Sequence, residues 1–163
     1  MPKDITIYLS PGFNLATTLM FMEPFRAANA VSPEELYDFI YCSNDGGPIR
    51  SMQGLSLDTE EVDLLKSDSD IVVISTSEDP DAARGAPLAK HLKYWVRQGR
   101  VVLGLETGAV ALADGDLIET AAVHPSYAKR FTAAYPGVDV SDPLFTREEE
   151  VFTSPGGLAA AAL

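Results

Sequence analysis

The stretch GRVVLGLETGAVALA, Gly99 to Ala113, places an acid where many α/β folds display a nucleophile. The apolar run Val101–Leu105 enters a tight turn, and a small-residue helix beginning at Ala109 leaves it. In α/β enzymes such a strand–turn–helix elbow carries Ser or Cys at its tip. Here the tip is Glu106. A tip residue sits in a strained backbone conformation and needs small neighbours, which Gly104, Gly108 and Ala109 supply. The start of the following helix presents unpaired N–H groups and the positive end of a dipole, which favours a carboxylate. Two roles fit Glu106: a fixed anion recognising a cation or a donor-rich ligand, or an acid satisfying the backbone donors of its own helix. As a nucleophile for acyl transfer a carboxylate is poor without further help.

His124 stands before Pro125, after the elbow helix. A general base works on a nucleophile, and Thr107 and Ser126 are weak substitutes for a Cys or Ser at the tip, so His124 is expected to be a structural hydrogen-bonding residue. His91 reads as lying on a surface helix and receives no role. Glu148, Glu149 and Glu150 read as a solvated acidic turn, and Asp45 beside Gly46 and Gly47 reads as turn chemistry. Cys42, the single cysteine, excludes an intrachain disulfide and a cysteine-cluster metal site. It lies on a strand and reads as a small buried hydrophobe. No glycine pattern suited to phosphate is present, and Gly156-Gly157, after Ser154-Pro155, reads as a turn in preference to a helix start that approaches a ligand. No metal site and no cofactor is expected.

The elements that must position these residues alternate along the chain. Ile5–Leu9 reads as a strand broken by Ser10-Pro11-Gly12. Asn14–Ala30 reads as a helix with Leu15, Leu19, Met22, Phe25 and Arg26 near one stripe, and Pro24 as a kink or a boundary within it. Tyr37–Ser43 reads as a strand, Asn44–Pro48 as a turn, and Ile49–Leu57 as a β-excursion around Gly54. Asp70–Thr76 has the continuous apolar middle of a buried parallel strand. Ala86–Gln98 is an amphipathic helix with Leu88, Leu92 and Trp95 or Val96 inward, ended by Gly99. Ser126–Ala134 reads as a helix, Val138–Val140 and Val151–Thr153 as short strands, and the segment from Gly156 to Leu163 opens a helix that does not finish. Alternation of this kind predicts a parallel sheet with helices on both faces. Sites in such sheets form beyond the carboxyl ends of the strands. The Ser10–Phe13 loop, the Ser75–Asp79 loop and the Glu106 elbow are therefore expected at one rim.

Length and composition bound the rest. The chain has 163 residues, enough for one domain with a core, and 46% of them are hydrophobic, which excludes a disordered tail. No apolar run reaches the roughly 18–20 residues of a membrane span, and no signal peptide is seen at the N-terminus, so no membrane partner and a cytoplasmic location are expected. The formal net charge of −12 repels phosphate backbones, so this chain by itself is not expected to grip nucleic acid. The acidity suits solubility and would tolerate a cationic ligand.

The ordered set LSPGF, EPFRAANAV, YCSNDGGPIRSMQGLSL, GLETGAVALA, HPSYAKRFTAAYPGV, SDPLF and FTSPGGLAAAAL runs through nearly the whole chain. It resembles the class I glutamine amidotransferase-like N-terminal domain of AraC-family transcriptional regulators, a branch of the ThiJ/PfpI superfamily. The resemblance implies a three-layer α/β sandwich with a mostly parallel central sheet, flavodoxin-like and of ThiJ/PfpI type, over residues 1–163. Enzymes of that superfamily carry Cys at the elbow, a His shortly after, and an acid early in the first helix. Here the elbow holds Glu106, the His matches His124, and the acid's place near Ala16, Thr17 and Thr18 is not acidic. That departure implies a non-catalytic domain. It is expected to sense a small-molecule effector and form a homodimer, with DNA contacted only through a helix-turn-helix domain absent from this chain and expected downstream. Some of the regulators it resembles sense arginine, carnitine or glycine betaine, so the implied effector is a cationic or zwitterionic nitrogen metabolite. Glu106, Thr107, His124, Phe13 and Ser75 are the implied ligand-binding residues, with Phe13 either offering a cation–π face or lying in the core. Two alternatives stay open: a ThiJ/PfpI-type hydrolase or stress protein with an atypical active site, and a pure dimerisation scaffold.

Overall fold

Along the first strand, β1 (Lys3–Leu9), side chains alternate between two covered faces. Ile5, Ile7 and Leu9 enter one core, Tyr8 enters the other, and all are buried. A strand buried on both sides belongs inside a parallel sheet with helices above and below. The computed structural model, which describes residues 1–65, 69–76, 79–84, 86–141 and 143–163, has that arrangement. After β1 come α1 (Leu15–Val31), β2 (Tyr37–Ser43), β3 (Gly47–Arg50), β4 (Ser56–Glu61), β5 (Ile71–Ser75), α2 (Ala86–Arg97), β6 (Val101–Leu105) and α3 (Ala109–Asp114). β7 (Thr120–Ala121), α4 (Pro125–Ala134), β8 (Asp139–Val140), β9 (Thr146–Glu148) and β10 (Val151–Ser154) follow.

Among the described residues, one sheet runs β3-β4-β2-β1-β5-β6-β10-β9. Its strands from β4 to β10 pair in parallel, and the β3–β4 and β10–β9 pairs at the edges are antiparallel. The central β2-β1-β5-β6-β10 portion has the flavodoxin-like order, in which the winding reverses beside β1. A crevice at the carboxyl ends of the strands is the consequence. The expected α/β sandwich is therefore present, and the excursion at Ile49–Leu57 is the antiparallel β3–β4 hairpin.

One core, on the side of α2, α3 and α4, gathers Tyr8, Cys42, Val72, Ile74, Leu88, Leu92, Trp95, Val102 and Phe131. The other, on the side of α1 and a 3-10 helix at Gly157–Ala162, gathers Ile5, Ile7, Leu9, Phe13, Phe21, Val73, Leu103, Leu105 and Ala160. Cys42 is buried, and burial pushes its thiol up to about 12. That matches the reading of a small core residue.

Three expectations need correction. The buried positions of α1 are Thr17, Thr18 and Phe21, while Leu19 stands 49% exposed. Leu15, Met22 and Phe25 pack against the core as expected, but threonines with polar partners share that inward face, and Leu19 and Arg26 fall outside it. Pro24 lies inside a helix that continues to Val31, so it marks no boundary. The last segment forms a short 3-10 helix rather than the start of an α-helix. The asparagine of the EPFRAAN motif stitches α1 to the start of β2. Asn29 Oδ1 accepts from the Leu36 and Tyr37 amides, and its Nδ2 donates to the Tyr37 carbonyl.

Candidate functional site

Glu106 is the first residue of a 3-10 turn, Glu106–Gly108, at the end of β6. Its φ of 56 is in the left-handed region, which costs a non-glycine residue energy and accumulates at functional sites. The turn presses against the neighbouring strand: a Cβ on Gly108 would stand 2.5 Å from the Ile74 carbonyl oxygen of β5. Glycine at 108 is therefore what lets the elbow sit low on the sheet.

The Glu106 side chain does not cap its own helix. It turns toward α1 instead. Its Oε1 accepts from Asn14 Nδ2 at 2.8 Å and from the Thr17 hydroxyl at 2.5 Å. Both donors are held in place. Asn14, the N-cap of α1, accepts through Oδ1 from the Ala16 and Thr17 amides and from Gln53 Nε2. The Thr17 hydroxyl accepts from the Gly157 amide at 2.9 Å. Gly156, with φ 84, lies flat against the Glu106 side chain, and a Cβ there would overlap Cγ and come within 2.8 Å of Oε1. The ends of β6 and β10 and the start of α1 thus lock one buried carboxylate, which is only 6% exposed.

Above it lies a cavity of about 300 Å³ lined by Asn14, Met52, Glu106, Thr107, His124, Ser126 and Tyr127. The 51–55 turn forms its lip: the Met52 amide donates to the Phe13 carbonyl, and Gln53 Oε1 accepts from the Leu15 amide. His124 caps α4. Its Nδ1 accepts from the Ser126 amide at 3.3 Å and lies 2.7 Å from the Ser126 hydroxyl, which leaves Nε2 to carry the ring proton. The Arg130 guanidinium sits 5.5 Å from the centre of the Tyr127 ring.

Of the five residues singled out from the sequence, Glu106, Thr107 and His124 line this cavity. Phe13 and Ser75 do not. Phe13 is wholly buried in the α1-side core, so it offers no face to a cation. Ser75 is buried below the rim, where its hydroxyl meets that of Thr18 at 2.8 Å. Thr107 also meets the Thr76 hydroxyl at 2.7 Å. The rim itself forms at the carboxyl ends of the strands, with the Ser10 amide donating to the Ser75 carbonyl. Ser77 and Glu78 of the expected Ser75–Asp79 loop, and Asp142 of the SDPLF motif, lie outside the described residues.

Asn14, Met52 and Tyr127 were not singled out from the sequence, although an asparagine just before a helical run signals an N-cap. Thr17 was marked only as a non-acidic residue where the resemblance expects an acid, and Gly156 only within a Gly-Gly pair. Two further assignments are overturned. His91 is not a free surface residue: its side chain is 12% exposed, its Nε2 lies 2.8 Å from Asp63 Oδ1, and its ring packs on Trp95. Glu148 is not simply solvated: it accepts from the Glu119 and Thr120 amides and the Thr120 hydroxyl. Burial acts to raise its pKa, and those donors together outweigh burial and hold it below the ordinary carboxylate value. Among the described residues no trio of His, Cys, Asp and Glu is gathered as for a metal ion.

No protein-family model matches the chain. An AraC family transcriptional regulator from Pseudomonas putida, a crystal structure, superposes with a TM-score of 0.84 over 99% of this chain and 88% of its own, at 21% identity. DJ-1beta from Drosophila melanogaster does so with a TM-score of 0.82 over 99% and 86%, at 16% identity. The fold is that of the ThiJ/PfpI and DJ-1 domains. In sequence, the HTH-type transcriptional regulator CdhR of Pseudomonas aeruginosa is 30% identical over 166 aligned positions, which take in 100% of this chain and 49% of CdhR. The chain spans about half the length of the curated relatives it matches. In sequence the chain is similar to about half of each of these HTH-type transcriptional regulators, and in fold to ThiJ/PfpI and DJ-1 domains.

Proposed function

We propose that this chain is the effector-sensing part of a cytoplasmic transcriptional regulator and has no catalytic activity of its own. The observation that carries the reading is the buried, braced carboxylate of Glu106 in the floor of a cavity of about 300 Å³. The position at the elbow tip is filled by an acid already bonded to Asn14 and Thr17, and His124 Nδ1 is spent on capping α4. Neither is arranged to attack a carbonyl group or to activate a nucleophile.

The effector is a cationic or zwitterionic nitrogen metabolite. Glu106 takes the positive group, and the His124 Nε2–H with the Tyr127 hydroxyl suits an acidic group on the same molecule. Effector shifts a pre-existing equilibrium between arrangements of a homodimer, and so of DNA-binding modules elsewhere in the protein. The length of the relatives, about twice that of this chain, supports placing DNA contact outside it. The net charge of −12 agrees with that placement.

A thermal-shift screen with arginine, glycine betaine, carnitine, choline and neutral analogues, on the protein and on Glu106→Gln, tests this. A ligand at about 100 times its dissociation constant stabilises by about 2.7 kcal/mol, well within detection. Stabilisation by charged compounds that vanishes in Glu106→Gln is the expected result. Equal stabilisation of both proteins removes Glu106 from the site, and no response to any compound sinks the sensor reading.

A further inference from the structure

We infer that the effector's positive group is one that carries N–H, a primary ammonium, amidinium or guanidinium, rather than a quaternary ammonium. This rests on the proposed sensing role of the Glu106 cavity and narrows its ligand. The two carboxylate oxygens of Glu106 are not equivalent. Oε1 receives both protein donors, Asn14 Nδ2 and the Thr17 hydroxyl. Among the described residues no donor is bonded to Oε2. Neither donor is available to swing across, because Asn14 is pinned through Oδ1 by three N–H groups and Thr17 by the Gly157 amide. The Glu106 side chain itself lies against Gly156, where even a Cβ would overlap it.

One acceptor of fixed position therefore remains on the cavity floor, on a residue that is 6% exposed. That oxygen opens on the cavity and is left for a ligand, and a charged N–H group meets it with a short, directional bond. A trimethylated nitrogen has no N–H to give and holds its charge behind a shell of methyl groups. Such cations are recognised by stacked aromatic faces. Among the described residues, Tyr127 is the one phenyl-type ring lining the cavity, and it already has the Arg130 guanidinium 5.5 Å from its centre. Of the other lining groups, Asn14, Thr107, His124 and Ser126 form hydrogen bonds and Met52 is apolar, so the lining holds no stack of aromatic faces around a cation.

Matched pairs that differ only in methylation of the nitrogen test the inference: ethanolamine against choline, and glycine against glycine betaine, titrated calorimetrically into the protein and into Glu106→Gln. The expected result is at least tenfold tighter binding of the N–H member of a pair, lost in Glu106→Gln, whose amide presents a donor where Oε2 stood. Equal or tighter binding of the trimethylated member, abolished in Glu106→Gln, overturns this inference and leaves the sensing reading in place. Tight binding of the N–H member that survives Glu106→Gln overturns it as well. If neither member of either pair binds, and arginine does not, both the inference and the cationic-effector reading fall.

Discussion

Two carboxylates, Glu106 and Glu148, are each reached by donors from distant parts of the chain, and they are used differently. Glu148 is satisfied on both oxygens: Oε1 takes the Thr120 amide at 2.5 Å and hydroxyl at 2.6 Å, and Oε2 takes the Glu119 amide at 2.9 Å. It closes the seam between β9 and the start of β7 and has nothing left to offer. Glu106 is satisfied on one oxygen only, by side chains, and its residue opens on a cavity. The contrast separates an acid that completes the fold from one that the fold holds ready for something else. Burial alone would have ranked Glu106 as the more structural of the two.

The strongest way to break this contrast is to disturb the wall that fixes Glu106. Gly156→Ala drives a methyl into the Glu106 side chain at a backbone angle suited to glycine. Overpacking and strain together predict a loss of about 3 kcal/mol or more in urea denaturation; an unchanged midpoint would mean that Glu106 is free to move aside. Thr17→Val comes next. It keeps the shape, removes one donor from Glu106 and leaves the Gly157 amide without its acceptor, so about 2 kcal/mol should be lost in the same assay.

Glu148→Gln should be milder, about 1–2 kcal/mol, because its amide must place an NH₂ against the Glu119 amide donor. The effect has a pH signature. Glu148 titrates below the ordinary value in the folded protein. Its contribution is therefore complete above the unfolded value of about 4.3 and is lost as pH falls through the folded value. Acid unfolding curves of the unmutated protein and of Glu148→Gln should converge below about pH 4; parallel curves would remove Glu148 from the account. Glu106→Gln should have the smallest effect on stability, within about 1 kcal/mol, since a Gln oxygen still accepts from Asn14 and Thr17. A large loss there would place Glu106 in the same class as Glu148.

The same contrast explains what the sequence disclosed. The elbow is local: a strand, a strained tip and small neighbours lie within a few positions, so Glu106 and the fold class were legible from spacing. Phe13 was placed on the correct loop, but whether a loop aromatic faces a cavity or the core depends on packing that no spacing records. Thr17 was legible only as the place where the resemblance expects an acid; its bonds were not, because its partners Glu106 and Gly157 lie far along the chain. Its burial also explains why the apolar stripe of α1 gave only part of the inward face. His91 and Glu148 failed for the same reason. His91 reads as part of a surface helix and Glu148 as part of a solvated acidic turn until Asp63, or the Glu119–Thr120 backbone, is brought to it.

Trp95 is the single tryptophan, fully buried on α2, with the His91 ring centre 5.3 Å away and no partner for its indole N–H among the described residues. It does not line the Glu106 cavity. The protein's tryptophan emission is therefore a lamp fixed in the α2 corner, shielded from water. A change in that light on adding effector would not report the arrival of the molecule. It would report that α2 had shifted, and so measure transmission directly.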